Sequence, residues 1–182
     1  GAIGAIIGHE MTHGFDDSGR KYDADGKLQD WWSPADAEEF EKRAQAYGEQ
    51  FANFTQGLPE GMHIRPGLTM GENIADLGGL TIGFEAYRRW RERHSYTPLP
   101  PMLSERDDGL EGARRFFAAW SQAWRSKYTQ GALEQRLVTD PHSPGPARGT
   151  IPVQNQDVWY EAYAVAAGEA LYLPEASRVQ IW

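Results

Sequence analysis

Gly1-Ala2-Ile3-Gly4-Ala5-Ile6-Ile7-Gly8-His9-Glu10-Met11-Thr12-His13-Gly14-Phe15 opens the chain, and the reading of this stretch decides both fold class and chemistry. Ile3, Ile6, Ile7 and Met11 recur at helical spacing with no proline between them, which predicts a helix ending near Gly14. Four residues separate His9 from His13, close to one turn, so both imidazoles project from one face and two ring nitrogens can grip one zinc ion. Glu10 follows its histidine by one position, which sets its carboxylate beside such a metal rather than on it, where it suits a base better than a ligand. The Ile6-Ile7 lead-in argues that the helix is buried, and histidines in a buried helix need partners for their ring nitrogens. The plain alternative is a pair of surface histidines on a helix with no metal.

Outward from that helix the pattern stays helical. Ser33-Pro34-Ala35-Asp36 supplies an N-cap, a proline for the first helical position and an acidic third residue; Phe40, Ala44, Tyr47, Phe51 and Phe54 then form a core-facing stripe. Gln56 to Met70 reads as a loop, and helical periodicity resumes from Glu72 to about Arg93. Arg88, Arg89, Arg91 and Arg93, with Glu85 and Glu92 beside them, suit a solvated helix end. Pro98, Pro100 and Pro101 mark a linker, and Phe116, Phe117, Trp120, Trp124 and Tyr128 mark another helical stripe. Residues 131–138 suit one short helix. Pro141, Pro144, Pro146 and Pro152 assign 139–152 to a loop, 157–167 is a last helix, and the tail to Trp182 docks on the body. Between the first two helices, Asp23-Ala24-Asp25-Gly26 suits a turn in a short hairpin; an acidic calcium loop is the sharper reading, but its full ligand spacing is absent. The fold class is therefore mainly α with little β.

At 182 residues the chain is long enough for one domain with a real core. Its formal charge of −8 disfavours a nucleic-acid partner, and no apolar run approaches the roughly 18–20 residues of a membrane-spanning helix. Without cysteine there is no disulfide and no thiolate metal or nucleophile site. Gly1 enters a helical pattern directly, with no initiating Met and no charged leader, so further sequence is expected upstream.

A catalytic zinc usually has three protein ligands and an open position. The extended histidine motif would need glycine at position 16 and histidine at position 19, where the chain carries Asp16 and Gly19. His63, His94 and His142 fall in predicted loops. Gly71-Glu72-Asn73-Ile74-Ala75-Asp76 instead sets two carboxylates one turn apart on what reads as the exposed start of a helix. Glu72 fits as the third ligand and Asp76 as the acceptor that orients a ligand histidine. Acidic residues also favour helix N-termini without any metal.

These residues make the chain recognisable. Ile7 to Asp17, Asp30-Trp31-Trp32, Gly71 to Gly79, Thr139-Asp140-Pro141-His142-Ser143-Pro144-Gly145 and the terminal Trp182, in that order, resemble the C-terminal part of the neprilysin family of zinc metallopeptidases. The resemblance implies the helical portion of a thermolysin-like peptidase domain, spanning 1–182, whose sheet and helical lid lie upstream. It implies one zinc held by His9, His13 and Glu72, with Glu10 as general base and Asp76 orienting a histidine. It adds His142 as oxyanion stabiliser and Arg148 as the residue that binds the substrate backbone; Asp16 and Asp140 follow, more weakly, as further supporting carboxylates. The implied reaction is hydrolysis of internal bonds of oligopeptides on the amino side of hydrophobic residues, outside the cytoplasm. Ser177 stands where animal members commonly have cysteine, which suits a bacterial type. A second reading is a helical fragment that binds zinc, or only packs, without turnover, because the family's upstream substrate-binding parts are missing from this chain.

Overall fold

In the computed structural model, residues 1–94 and 110–182 are described, so the expected proline linker around Pro98 to Pro101 lies outside them. Seven helices order the described chain: α1 (Ala2–Thr12), α2 (Pro34–Ala52), α3 (Pro66–Arg93), α4 (Glu111–Ala123), α5 (Gln130–Thr139), α6 (Gly145–Gln154) and α7 (Asp157–Tyr163), with 3-10 turns at His13–Phe15, Gly19–Lys21 and Glu175–Ser177. The mainly α expectation holds. The expected hairpin reduces, among the described residues, to one antiparallel bridge between Tyr22 and Leu28. Asp23 Oδ1 accepts from the Asp25 and Lys27 amides there and so closes the turn.

Helix α3 is the axis of the fold and separates two cores. On one side Phe40, Tyr47 and Phe51 of α2 pack with Ile74 and Leu77 of α3 and Ile151 of α6. On the other, Leu80 of α3 meets Ala5 of α1, Phe116, Phe117 and Trp120 of α4, and Trp159 of α7. Ser33 caps α2 as its sequence predicts, accepting from the Asp36 amide at 3.1 Å.

Three sequence expectations are corrected. Helix α3 starts at Pro66 rather than Glu72, because proline in the first helical turn forfeits no hydrogen bond. Glu72 and Asp76 therefore lie within the helix, and Asp76 is fully buried instead of at an exposed start. The proline-rich stretch read as loop contains α6. Pro152 leaves the Arg148 carbonyl without its usual amide donor, and the Trp120 indole N–H takes that place at 3.1 Å. In α1, Ile3, Ile7 and Met11 face outward, at 73%, 56% and 62% exposure, and the buried face is Ala5, Gly8, His9 and Thr12.

The small residues on that face explain the inversion. A Cβ on Gly8 would sit 2.8 Å from the Gly79 carbonyl oxygen, and one on Gly79 would sit 2.4 Å from the His9 amide nitrogen. The two backbones touch where any side chain would part them. Gly79→Ala should destabilise the chain by about 2–3 kcal/mol, because backbone cannot yield as a side-chain tip can. Gly4→Ala on the open side of α1, where a Cβ meets nothing within 4 Å, should be neutral or slightly stabilising. Urea denaturation of the two variants compares them directly.

Candidate metal centre

The close approach of α1 and α3 brings His9 and His13 against Glu72. His9 Nε2 lies 3.2 Å from Glu72 Oε2, and His13 Nε2 lies 3.6 Å from Glu72 Oε1. One ligand atom from each residue falls within 4.8 Å of the others. Among the described residues no other group of three or more His, Cys, Asp and Glu is so arranged.

Carboxylates behind the rings fix their tautomers. His9 Nδ1 donates to Asp76 Oδ1 at 2.9 Å, and His13 Nδ1 donates to Asp16 Oδ2 at 2.7 Å. Asp16 is itself held by the amides of Ser18 and Gly19 through Oδ1. With both Nδ1 atoms protonated, each ring, once neutral, turns its Nε2 lone pair toward the other across 3.1 Å. Two acceptors at that distance repel unless a proton or a cation lies between them. Glu72 Oε2 is also buried with no donor aligned on it, although His9 Nε2 and His142 Nε2 each lie 3.2 Å away. Two imidazoles and a carboxylate converging on unsatisfied lone pairs fit a divalent ion of zinc's preferences.

The charges answer to the same geometry. Burial works to lower the His9 pKa, but the hydrogen bond with Asp76 and the nearby charges of Asp76 and Glu72 outweigh it and raise the group to about 9. Burial likewise pushes Glu72 upward, and His9, His142 and Arg148 more than offset it, leaving its carboxyl below the usual range. Asp140 is lowered too: its burial is overcome by hydrogen bonds from the His142 amide and ring and by Arg136.

The remaining sequence candidates fall around this cluster. His142 lies on the turn before α6, with Nδ1 2.8 Å from Asp140 Oδ1. Arg148, on α6, is buried. Its Nε and Nη2 donate to Asp76 Oδ2 and Oδ1, both at 2.7 Å, and its guanidinium lies 3.8 Å from the centre of the Trp124 ring. Asp76 thus serves His9 and Arg148 together. Glu10 is exposed and is not one of the three clustered residues. Sequence reasoning missed Asn73, whose Oδ1 accepts from Ser143 Oγ at 2.7 Å and ties the His142 turn to α3, and it missed Trp124 as the floor under Arg148. No spacing signal joins residues 70 positions apart.

Comparison with known proteins points the same way. Peptidase family M13 matches residues 1–179. Human endothelin-converting enzyme 1 is 35% identical over the whole chain, which corresponds to 22% of that enzyme, and neprilysin-1 of Caenorhabditis elegans is 39% identical, with 23% of its length covered. Among solved structures, the Mycobacterium tuberculosis zinc metalloprotease Zmp1 in complex with an inhibitor aligns with 99% of the chain and 27% of its own, at 43% identity and a TM-score of 0.86. The chain therefore spans less than a quarter of the length of these two curated relatives.

A pH dependence follows for the metal-free chain. Because the folded-state pKa of His9 is raised from 6.5 to about 9, its stabilising contribution is fully present below about pH 6.5 and is lost as pH rises through about 9. Thermal melts in chelator between pH 6 and 10 should show the melting temperature falling across that window. Zinc needs the same nitrogen deprotonated, so competition with a chelating dye should show zinc affinity rising over it.

Proposed function

Since the chain belongs to peptidase family M13, we propose that it is the C-terminal catalytic portion of a zinc-dependent endopeptidase, spanning residues 1–182 and holding one zinc through His9, His13 and Glu72. The observation that carries this reading is the pair of facing Nε2 atoms, 3.1 Å apart and backed by Asp76 and Asp16, with the unsatisfied Glu72 Oε2 beside them. The zinc-metalloprotease identity of the structural relatives gives the ion its name.

When bound, zinc supplies a Lewis acid that polarises the scissile carbonyl and acidifies water. The chain's own groups do the rest. Glu10, exposed beside the ligand helix face, takes the proton of the attacking water and returns it to the leaving amine. His142 already gives its Nδ1 proton to Asp140, so it can donate from Nε2 to developing negative charge only as the imidazolium. Arg148 spends Nε and Nη2 on Asp76, which leaves Nη1 for a substrate carbonyl. Asp76 orients His9 and Arg148 at once, and so couples metal binding to substrate binding.

The substrates are oligopeptides cut on the amino side of hydrophobic residues, and the setting is extracytoplasmic; family membership supports both. No described helix is long and apolar enough to cross a membrane. A chain that binds zinc without turnover is the competing reading.

Two variants test the assigned roles. Glu10→Gln should keep about one zinc per chain by elemental analysis while peptide cleavage by the full-length protein falls by about 10²-fold or more, and unchanged cleavage would remove Glu10 as base. Glu72→Ala should lose the zinc itself, and full retention would remove Glu72 as ligand.

A further inference from the structure

Behind Asp140, which holds the His142 ring, lies an ion pair that none of the steps above uses. Arg136 occupies the last turn of α5 and Asp140 follows it just past the helix end, with Nη2 of the arginine 2.6 Å from Oδ2 of the aspartate. The other oxygen, Oδ1, accepts from the His142 amide at 2.9 Å and from its ring Nδ1 at 2.8 Å. The guanidinium is in turn placed over the Tyr128 ring, 4.8 Å from its centroid.

An arginine and an aspartate four residues apart at a half-exposed helix end ordinarily form a surface ion pair of little consequence. What distinguishes this one is where the second oxygen goes. A carboxylate held at one oxygen can still rotate about its Cβ–Cγ bond and carry its partner with it; held at both, it becomes a fixed acceptor. Ser143 on Asn73 also anchors the turn that carries His142, and that anchor constrains the backbone rather than the ring. The ring is 43% exposed and is oriented by two contacts, Nδ1 on Asp140 Oδ1 at 2.8 Å and Nε2 against Glu72 Oε2 at 3.2 Å, the first of which sets the pivot from which Nε2 reaches the second.

We propose that Arg136 is a positioning residue for His142: by pinning Asp140 through Oδ2, it keeps Oδ1 where it holds the His142 ring with Nε2 turned toward Glu72 and the metal site. Tyr128 holds the guanidinium and completes the support. The catalytic consequence rests on the peptidase reading above, whereas the positioning itself does not.

The test uses the zinc-loaded full-length protein with Arg136→Ala, Arg136→Gln as a second neutral variant, and Arg136→Lys, read in two ways. The first is cleavage of a fluorogenic oligopeptide. Removing the arginine should lower kcat about fivefold with KM within twofold, the lysine variant should recover part of the loss, and the melting temperature should stay near that of the parent. The second, independent of turnover, is the ring signal of His142 in ¹H–¹⁵N NMR. The Nδ1 proton bound to Asp140 should be a sharp downfield resonance in the parent, broadened or lost in the alanine and glutamine variants, and restored in part by lysine. If the parent cleaves peptide and the neutral variants match it in kcat and keep the Nδ1 signal, the arginine is only a surface ion pair and the proposal fails while the peptidase reading stands. If the parent does not cleave, the peptidase reading fails, and the Nδ1 signal alone decides: its loss in the variants supports the positioning, its persistence overturns it.

Discussion

The contact between the backbones of α1 and α3 at Gly8 and Gly79 is the constraint on which the rest depends. Ordinary helix pairs keep their axes about 8–10 Å apart because side chains interdigitate between them. Here glycine removes the side chains, and the two helices meet main chain to main chain. One consequence is reach: Glu72 and Asp76 have short side chains, and only this approach lets them touch His9 from the neighbouring helix. Another is polarity. The histidines enter a buried face because the small residues around them leave room for imidazole and carboxylate, while Ile3 and Ile7 turn outward.

Asp76 then concentrates the electrostatics. A fully buried carboxylate is costly unless it is paired, and this one is paired twice, with His9 and with both nitrogens of Arg148 facing it. Removing one partner of such an arrangement typically costs about 3–5 kcal/mol, because it leaves a buried charge without compensation. The aspartate is therefore part of the stability of the fold as well as of the site. Helix α6 is bound into the same unit through Arg148, whose carbonyl, freed by Pro152, is occupied by Trp120 from the second core. The site reaches both cores through one residue.

Much of this was legible beforehand, and the pattern of what was not is informative. The stripes of α2 and α4, the Ser33 cap and the histidine pair were readable because helical spacing and capping are local properties. Pro66 and Pro152 mislead because proline reads as a loop marker, whereas its cost depends on whether its missing amide had a partner. The first helical turn asks for none at Pro66. At Pro152 a tryptophan 32 positions earlier answers for the carbonyl left open, and no local window contains that information. The isoleucines of α1 misled for a related reason: hydrophobicity predicts the buried face only where the neighbour offers a surface to fill, and a glycine-lined neighbour offers none.

By itself the sequence determined a mainly helical chain with two histidines one turn apart, a glutamate set beside them, and a downstream carboxylate pair one turn apart, because each of these is a relation within a few residues of the same helix. Tertiary structure alone decided that His9 shares Asp76 with Arg148, that His13 leans on Asp16, that Glu72 completes the cluster, and that His142 is held through Asp140. The two short-range relations depend on side-chain orientation that spacing does not give, and those that Asp76 and Glu72 make join residues tens of positions apart. Their geometry is fixed by how closely two helices can approach, a property of the packed pair that neither strand of sequence carries alone.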